Sequence, residues 1–223
     1  DGTGIFNQTG GTVTAAGVGL DVRSNTGGTD QYNLDGGTLI LGSKGIGGNA
    51  SSEFNLGGGT LRASADFTST KAWNLVADSV LDAGGNTVTQ QGDITGSANL
   101  QLTAATGSLT LDTGGSQSIA APLTGVGAVT KTGAGTTTLA GASTYTGATT
   151  VSAGTLAVTG SLGTTAVSVA DGATLSGEGS LGGSLTLGSA SGSTLVVDPS
   201  TPGSLAVTGS VTLNATNTVS LAS

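Results

Sequence analysis

The chain has 223 residues, with 42 Gly, 3 Pro, 8% charged and 3% aromatic residues, no Cys, no His and a net charge of −8. This excludes a disulfide scaffold. It also excludes a polyanion-binding surface, which needs grouped cations to displace counterions, whereas Arg23, Lys44, Arg62, Lys71 and Lys131 are scattered. No run reaches the roughly 18–20 apolar residues of a membrane helix.

Glycine-rich chains of low charge are often linkers. Here mean hydropathy is +0.21 and the apolar residues are β-branched or Leu, so there is apolar surface to bury. The glycines follow no three-residue period, which excludes collagen.

The N-terminal third repeats one box. Phe6-Asn7-Gln8-Thr9-Gly10-Gly11-Thr12-Val13 is followed by Tyr32-Asn33-Leu34-Asp35-Gly36-Gly37-Thr38-Leu39 and by Phe54-Asn55-Leu56-Gly57-Gly58-Gly59-Thr60-Leu61. From Asn7 to Asn33 is 26 residues and from Asn33 to Asn55 is 22, the length of one solenoid coil. Leu81-Asp82-Ala83-Gly84-Gly85-Asn86-Thr87-Val88 reads as a decayed fourth copy. Between them, Ser69–Leu81 carries Trp73, Val76, Ala77 and Val80 at helical spacing, while Leu75 and Val80-Leu81 fit strands. Trp73 is read as a core or coil-junction filler.

Further along, apolar pairs flank one small residue: Leu100/Leu102, Leu109/Leu111, Leu156/Val158, Val167/Val169, Leu185/Leu187, Leu195/Val197, Leu205/Val207, Val211/Leu213 and Val219/Leu221. Each predicts a short strand with a two-residue inward face. Asp171-Gly172, Gly182-Gly183, Ser191-Gly192 and Pro202-Gly203 supply turns between them. Short strands at this spacing fit a sandwich, a barrel or a solenoid. Coil-length repeats, few aromatics and glycines at fixed corners select the solenoid. The expected fold is therefore all-β, a parallel β-helix of about ten coils with little or no helix. At the spacing of strands in a sheet that makes a rod of roughly 50 Å. It is read as one continuous segment over 1–223 of a longer protein: boxed coils over 1–90, connecting coils over 91–128, a distinct coil over 129–160 and C-terminal coils over 161–223.

That distinct coil resembles a known family. Val129-Thr130-Lys131-Thr132-Gly133-Ala134-Gly135-Thr136, Leu139, Gly141, Thr144-Tyr145-Thr146-Gly147, Thr149, Val151, Gly154 and Leu156 look like the passenger-associated transport repeat of bacterial autotransporters. Its usual form reads like L-x-K-x-G-x-G-T-L-x-L-x-G-x-N-T-Y-x-G-x-T-x-V-x-x-G-x-L. Residues 167–183 resemble the coil that commonly trails it. Thr137 stands where Leu is usual and Ser143 where Asn is usual, a change expected to weaken a turn bond or side-chain ladder. The resemblance implies a right-handed β-helix, in line with the handedness of parallel crossovers. It also implies an extracellular or cell-surface location, with which the absence of Cys agrees. The strands of a translocator barrel are not found in this sequence.

Candidate chemistry is sparse, and no catalytic, cofactor-binding or metal-binding residue is assigned. Asp78, Asp82 and Asp93 are the closest acidic group, able in principle to act as acid and base or to hold Ca²⁺; as turn caps they need no partner. No calcium-binding nonapeptide repeat is present. Asp30 and Asp35 read as loop charges. Gly133-x-Gly135 lacks the following helix that a phosphate loop needs. Tyr145 is read as stacking inside the coil. Thr-x-Thr at Thr12/Thr14, Thr87/Thr89 and Thr136/Thr138 is too irregular for an ice-binding array. Asn7, Asn49 and Asn214 head glycosylation sequons. Three functions follow in order: a structural rod whose repeat assists folding during export, a self-assembling fibre subunit whose partners are copies of itself, and a carbohydrate-active β-helix enzyme.

Overall fold

The computed structural model describes residues 4–23, 28–197 and 204–221. Asp198 and the Pro202-Gly203 turn lie outside the described residues. Every described element is a strand, and every strand pairing is parallel. Each turn of the coil lays down three short strands, each bonded to the equivalent strand one turn earlier and one turn later. The fold is a parallel β-solenoid.

One row is a ten-stranded sheet running from Leu20–Val22 to Val211–Leu213. Ten strands are separated by nine turns, against the ten or so coils expected. The other two rows begin fused. Ile5–Ala15 and Gln31–Leu41 are single strands of 11 residues. The first half of Gln31–Leu41 pairs with Glu53–Gly57 and its second half with Thr60–Ala63. From the third coil onward the two rows are separate. One continues to Thr218–Leu221, the other to Leu123–Gly125 and then into the short strands Ala142–Ser143, Ser161–Leu162, Ser180–Leu181 and Ala206–Val207.

The Gly-Gly of the boxes is the corner between the first two rows. Gly11 and Gly37 both have positive φ, 66° and 72°. They are stacked so closely that a Cβ on Gly37 would lie 2.3 Å from the carbonyl oxygen of Gly11. Left-handed backbone and coil-to-coil contact both demand glycine there.

Inward positions form ranks along the rod. Phe6, Tyr32, Phe54 and Trp73 stack in register, with ring centroids 5.0, 5.9 and 6.5 Å apart, and Ile94, Ile119 and Leu139 extend the rank. Beside it Asn33 donates to Asn7 at 2.7 Å, Asn55 to Asn33 at 2.7 Å and Asn74 to Asn55 at 3.1 Å. The boxed Asn is thus an amide ladder, and Thr95 closes it by donating to Asn74 at 3.4 Å.

One expectation is corrected here. The fourth box copy is not Leu81–Val88, because Leu81 lies one coil above Leu61, the last residue of the third box. It is Trp73-Asn74, in register with Phe54-Asn55. Of the two readings open over 69–81 the strands hold, as Phe67–Ser69, Trp73–Ala77 and Ser79–Asp82. Stacking against formed neighbours overrides weak helical periodicity. Val211/Leu213 and Val219/Leu221 occupy inward ranks as expected and are 51, 60, 59 and 68% exposed, since no described coil stacks on theirs.

Acidic residues fasten coils to each other by accepting backbone N–H groups. Asp66 accepts from Thr87 at 2.7 Å, Asp78 from Asn99 at 2.8 Å, Asp93 from Ser118 at 2.7 Å and Asp30 from Gly4 at 2.7 Å. Asp171 is the extreme case. It accepts from the N–H and hydroxyl of Ser189, both at 2.7 Å, and from the N–H groups of Ala190 and Gly192, each at 2.9 Å. The Ser189 bonds, backbone first, hold its carboxyl well below the usual carboxylate range. A depressed folded-state pKa gives stability that is complete above the unfolded value of 3.8 and is lost as pH falls through the folded value. The gap in urea midpoint between wild type and Asp171→Asn is therefore expected to be full at neutral pH and to shrink progressively below about pH 4.

Candidate functional site

Residues 129–158 run through parts of two successive coils, Lys131 lying under Val151 and Leu139 under Val158, and differ from their neighbours in what fills them. Their strands are Ala128–Thr132, Thr136–Leu139, Ala142–Ser143, Thr149–Val151 and Thr155–Val158. Leu139, Val151, Leu156 and Val158 point inward, as expected, and are at most 1% exposed. Among them lie Lys131, Thr137, Ser143, Tyr145 and Thr149, all buried too.

In the sequence Lys131 stands as a scattered cation and as the lysine of the repeat motif. It is in fact fully buried, in an inward rank between Leu111 and Val151. Its ammonium donates to the carbonyl oxygens of Thr132, of Gly133 at 2.9 Å and of Ala153 at 3.4 Å. These carbonyls belong to the corners of two successive coils, so the side chain ties them from inside. Burial pushes the ammonium pKa below its ordinary value, and the Asp112 carboxylate opposes the shift. The signal for this placement was present: Lys131 is two residues after Val129, on the inward phase of a period-2 strand.

Gly133-x-Gly135 is the corner that Lys131 caps. Gly133 has φ 71°, and a Cβ on Gly135 would lie 2.0 Å from the carbonyl oxygen of Gly115 in the coil before. The two glycines serve close coil approach, as the missing helix implied.

Thr137 sits directly above Gln117 and donates to its Oε1 at 3.0 Å. Gln117 Nε2 in turn donates to the carbonyls of Gln90 and Gly92 at 2.9 and 2.8 Å. Thr in place of the usual Leu is therefore matched to a buried glutamine one coil earlier. Restoring leucine is expected to harm: Thr137→Leu leaves Gln117 Oε1 buried without a donor, for a loss of about 1–3 kcal/mol in urea unfolding. The chain already holds one such atom, Gln90 Oε1, the single buried side-chain polar atom without a partner among the described residues. Ser143 also corrects an expectation. Its hydroxyl accepts the buried N–H of Leu123 at 3.0 Å, so the inter-coil bond is made by the shorter side chain.

Tyr145 lies inside the coil and is fully buried. Its hydroxyl shares a 2.6 Å bond with Thr149, which meets Thr165 of the next coil at 2.9 Å, and Thr165 donates to the Gly147 carbonyl at 2.6 Å. Burial raises the phenol pKa to about 12.

The acidic candidates are not brought together. Asp78 binds Asn99 through both the backbone and side-chain amides, Asp82 pairs with Arg62 at 3.4 Å, and Asp93 binds Ser118. Among the described residues no group of three His, Cys, Asp or Glu side chains could hold a metal ion. Asp35 is exposed at its corner. Of the sequon residues, Asn7 is the end of the amide ladder, Asn214 donates to the Gly188 carbonyl at 3.4 Å, and Asn49 accepts from Lys71 through its carbonyl at 2.7 Å. No described helix is long and apolar enough to cross a membrane.

Searches of curated proteins and of solved structures each returned no match. A family model does match, and it falls on this polar-spined stretch: residues 129–158 fit the passenger-associated-transport-repeat. The chain carries a passenger-associated transport repeat, of the kind found in autotransporter passengers, over parts of two successive coils of its β-solenoid.

Proposed function

We propose that this chain is a rigid stalk of an exported bacterial surface protein, and that the repeat at 129–158 assists its folding as it emerges outside the cell. The observation that supports this most is the strand order. Each strand bonds only to the equivalents one turn before and after, so a finished coil is a template for the next. A chain emerging end first folds by adding coils, and each addition opposes backsliding. The repeat suits a nucleus, because Lys131, Thr137, Ser143 and Thr149 fix its register by bonds that a slipped strand would leave unmade.

Pulsed hydrogen exchange during refolding tests this. Protection is expected first in 129–158 and then in neighbouring coils; simultaneous protection of all coils overturns the folding role. Small-angle scattering tests the stalk, and a compact sphere in place of a rod of roughly 50 Å overturns it. A second reading is a subunit of an extracellular fibre, since a solenoid of parallel sheets can be extended by further strands.

A further inference from the structure

On its outer faces, one coil of this rod is hard to tell from the next. In the ten-stranded row the outward residue is Thr or Ser in every coil from Thr68 to Thr212. In the row beside it Ser116, Thr136, Thr155, Thr174, Thr194 and Thr218 stand in register. Most inward neighbours are Leu, Val or Ile, which pack on one another in any order. Strands of this kind specify their pairing weakly, so a chain of like coils can skip one. Looping out one coil, the 20 residues that separate Gln117 from Thr137, costs little closure entropy.

The skip that the outer faces oppose least leaves out strand Thr136–Leu139 and lays Thr155–Val158 directly on Ser116–Ile119. Thr155 then covers Ser116, Ala157 covers Ser118 and Val158 covers Ile119, and each pair is acceptable. The fourth is not, because Leu156 lands on Gln117.

Gln117 is 2% exposed. Its Nε2 donates downward to the carbonyls of Gln90 and Gly92 at 2.9 and 2.8 Å, and its Oε1 accepts from Thr137 above at 3.0 Å. In the rank Gln117, Thr137, Leu156, Leu175, Leu195, Thr137 alone can donate to it. A leucine there leaves Oε1 buried without a donor. Gln90 shows that outcome. The next residue in its rank is Leu111, and its Oε1 is the buried atom without a partner.

We infer that Gln117 and Thr137 form a buried lock that selects which coil stacks on which, admitting the strand of the transport repeat above Gln117 and rejecting the strand one coil later. This rests on the reading that the chain folds coil by coil, and it adds the residues that keep the coils in order. When both partners of a buried bond are replaced by apolar side chains, stability is largely kept. What the replacement removes here is the choice of neighbour.

Disulfide trapping tests it, because the chain has no Cys of its own. Ser118 and Thr138 are direct neighbours on the outer face, whereas Ser118 and Ala157 are two coils apart, roughly 9.6 Å and beyond disulfide reach. After oxidative refolding at low concentration, Ser118→Cys with Thr138→Cys is expected to crosslink within the monomer, and Ser118→Cys with Ala157→Cys is not. Adding Gln117→Leu and Thr137→Leu together is expected to make the second crosslink appear, although the urea midpoint returns toward wild type from that of Thr137→Leu alone. Thr137→Val removes only the donor and is expected to admit the same crosslink; it decides the question if circular dichroism shows the double variant unfolded. Leu175→Ala weakens the core without touching the lock and is expected to give no such crosslink. Folded lock variants that never join Ser118→Cys to Ala157→Cys overturn the lock, as does an equal yield of that crosslink in the wild-type or Leu175→Ala background. That result leaves the repeat standing as a nucleus, whereas simultaneous exchange protection of all coils removes coil-by-coil folding and the lock with it.

Discussion

Replacing Trp73 with alanine is expected to lower stability by about 3–5 kcal/mol, the range for removing a fully buried large aromatic. Trp73 is the largest fully buried side chain in the protein. It fills its coil between Phe54 below and Ile94 above. Its indole N–H donates to Ser69 Oγ at 2.9 Å, so truncation also removes the donor to that buried hydroxyl, which keeps only its own bond to the Lys71 carbonyl at 3.2 Å. In a solenoid the damage has a direction. Coils interact only with their neighbours, so a void in one weakens coupling between the rod on either side. Urea unfolding of Trp73→Ala is expected to split into two transitions, with amides before Trp73 losing exchange protection at lower denaturant than those after Ile94. A single transition shifted by less than about 1 kcal/mol would falsify this account.

Lys131→Met is expected to cost about 2–4 kcal/mol, which makes it the most damaging change of a charged residue in the chain. Two effects oppose each other. Removing a buried ammonium relieves its desolvation, and buried ion pairs can be exchanged for apolar side chains with little loss. Here the partners are backbone carbonyls, which cannot be exchanged. Those of Thr132, Gly133 and Ala153 lose a donor at once, in two adjacent coils. The unmade bonds outweigh the relieved charge. Lys131→Arg is expected to restore little, because a planar fork does not fit a position flanked by Leu111 and Val151. Urea midpoints of the two variants, read against wild type, check both statements. Because the repeat is the proposed nucleus, Lys131→Met is also expected to slow refolding rather than only to speed unfolding.

Much of this was legible from residue order. The parallel solenoid followed from boxes spaced like coils and from apolar pairs at period 2. The inward set Leu139, Val151, Leu156 and Val158 followed from phase alone. The fourth box was misplaced because the reading matched Gly-Gly, when the retained element was the aromatic-Asn pair Trp73-Asn74. Its Gly-Gly corner is occupied by Asp78-Ser79, between the Gly57/Ala77 and Thr60/Val80 pairs, and a register irregularity after Leu56 admits Val76. The departure at Ser143 looked like a weakness and that at Thr137 had no reason, because their partners, Leu123 and Gln117, lie 20 residues earlier. Nothing local couples such positions.

The sequence by itself determined the periodicity: where the chain turns, which side of each strand is apolar, and that one stretch carries a transport repeat. Those are local properties, set by glycine at positive φ and by alternation along a strand. Only the tertiary structure decided what stands above what. That register makes Asn7, Asn33, Asn55 and Asn74 a ladder, makes Asp171 a clamp on the following coil and places Lys131 in the interior beneath two corners. Coil lengths vary, so stacking cannot be computed by adding a fixed number. It is fixed by the sum of many inter-coil bonds and ring contacts, which exist only once two coils are in place.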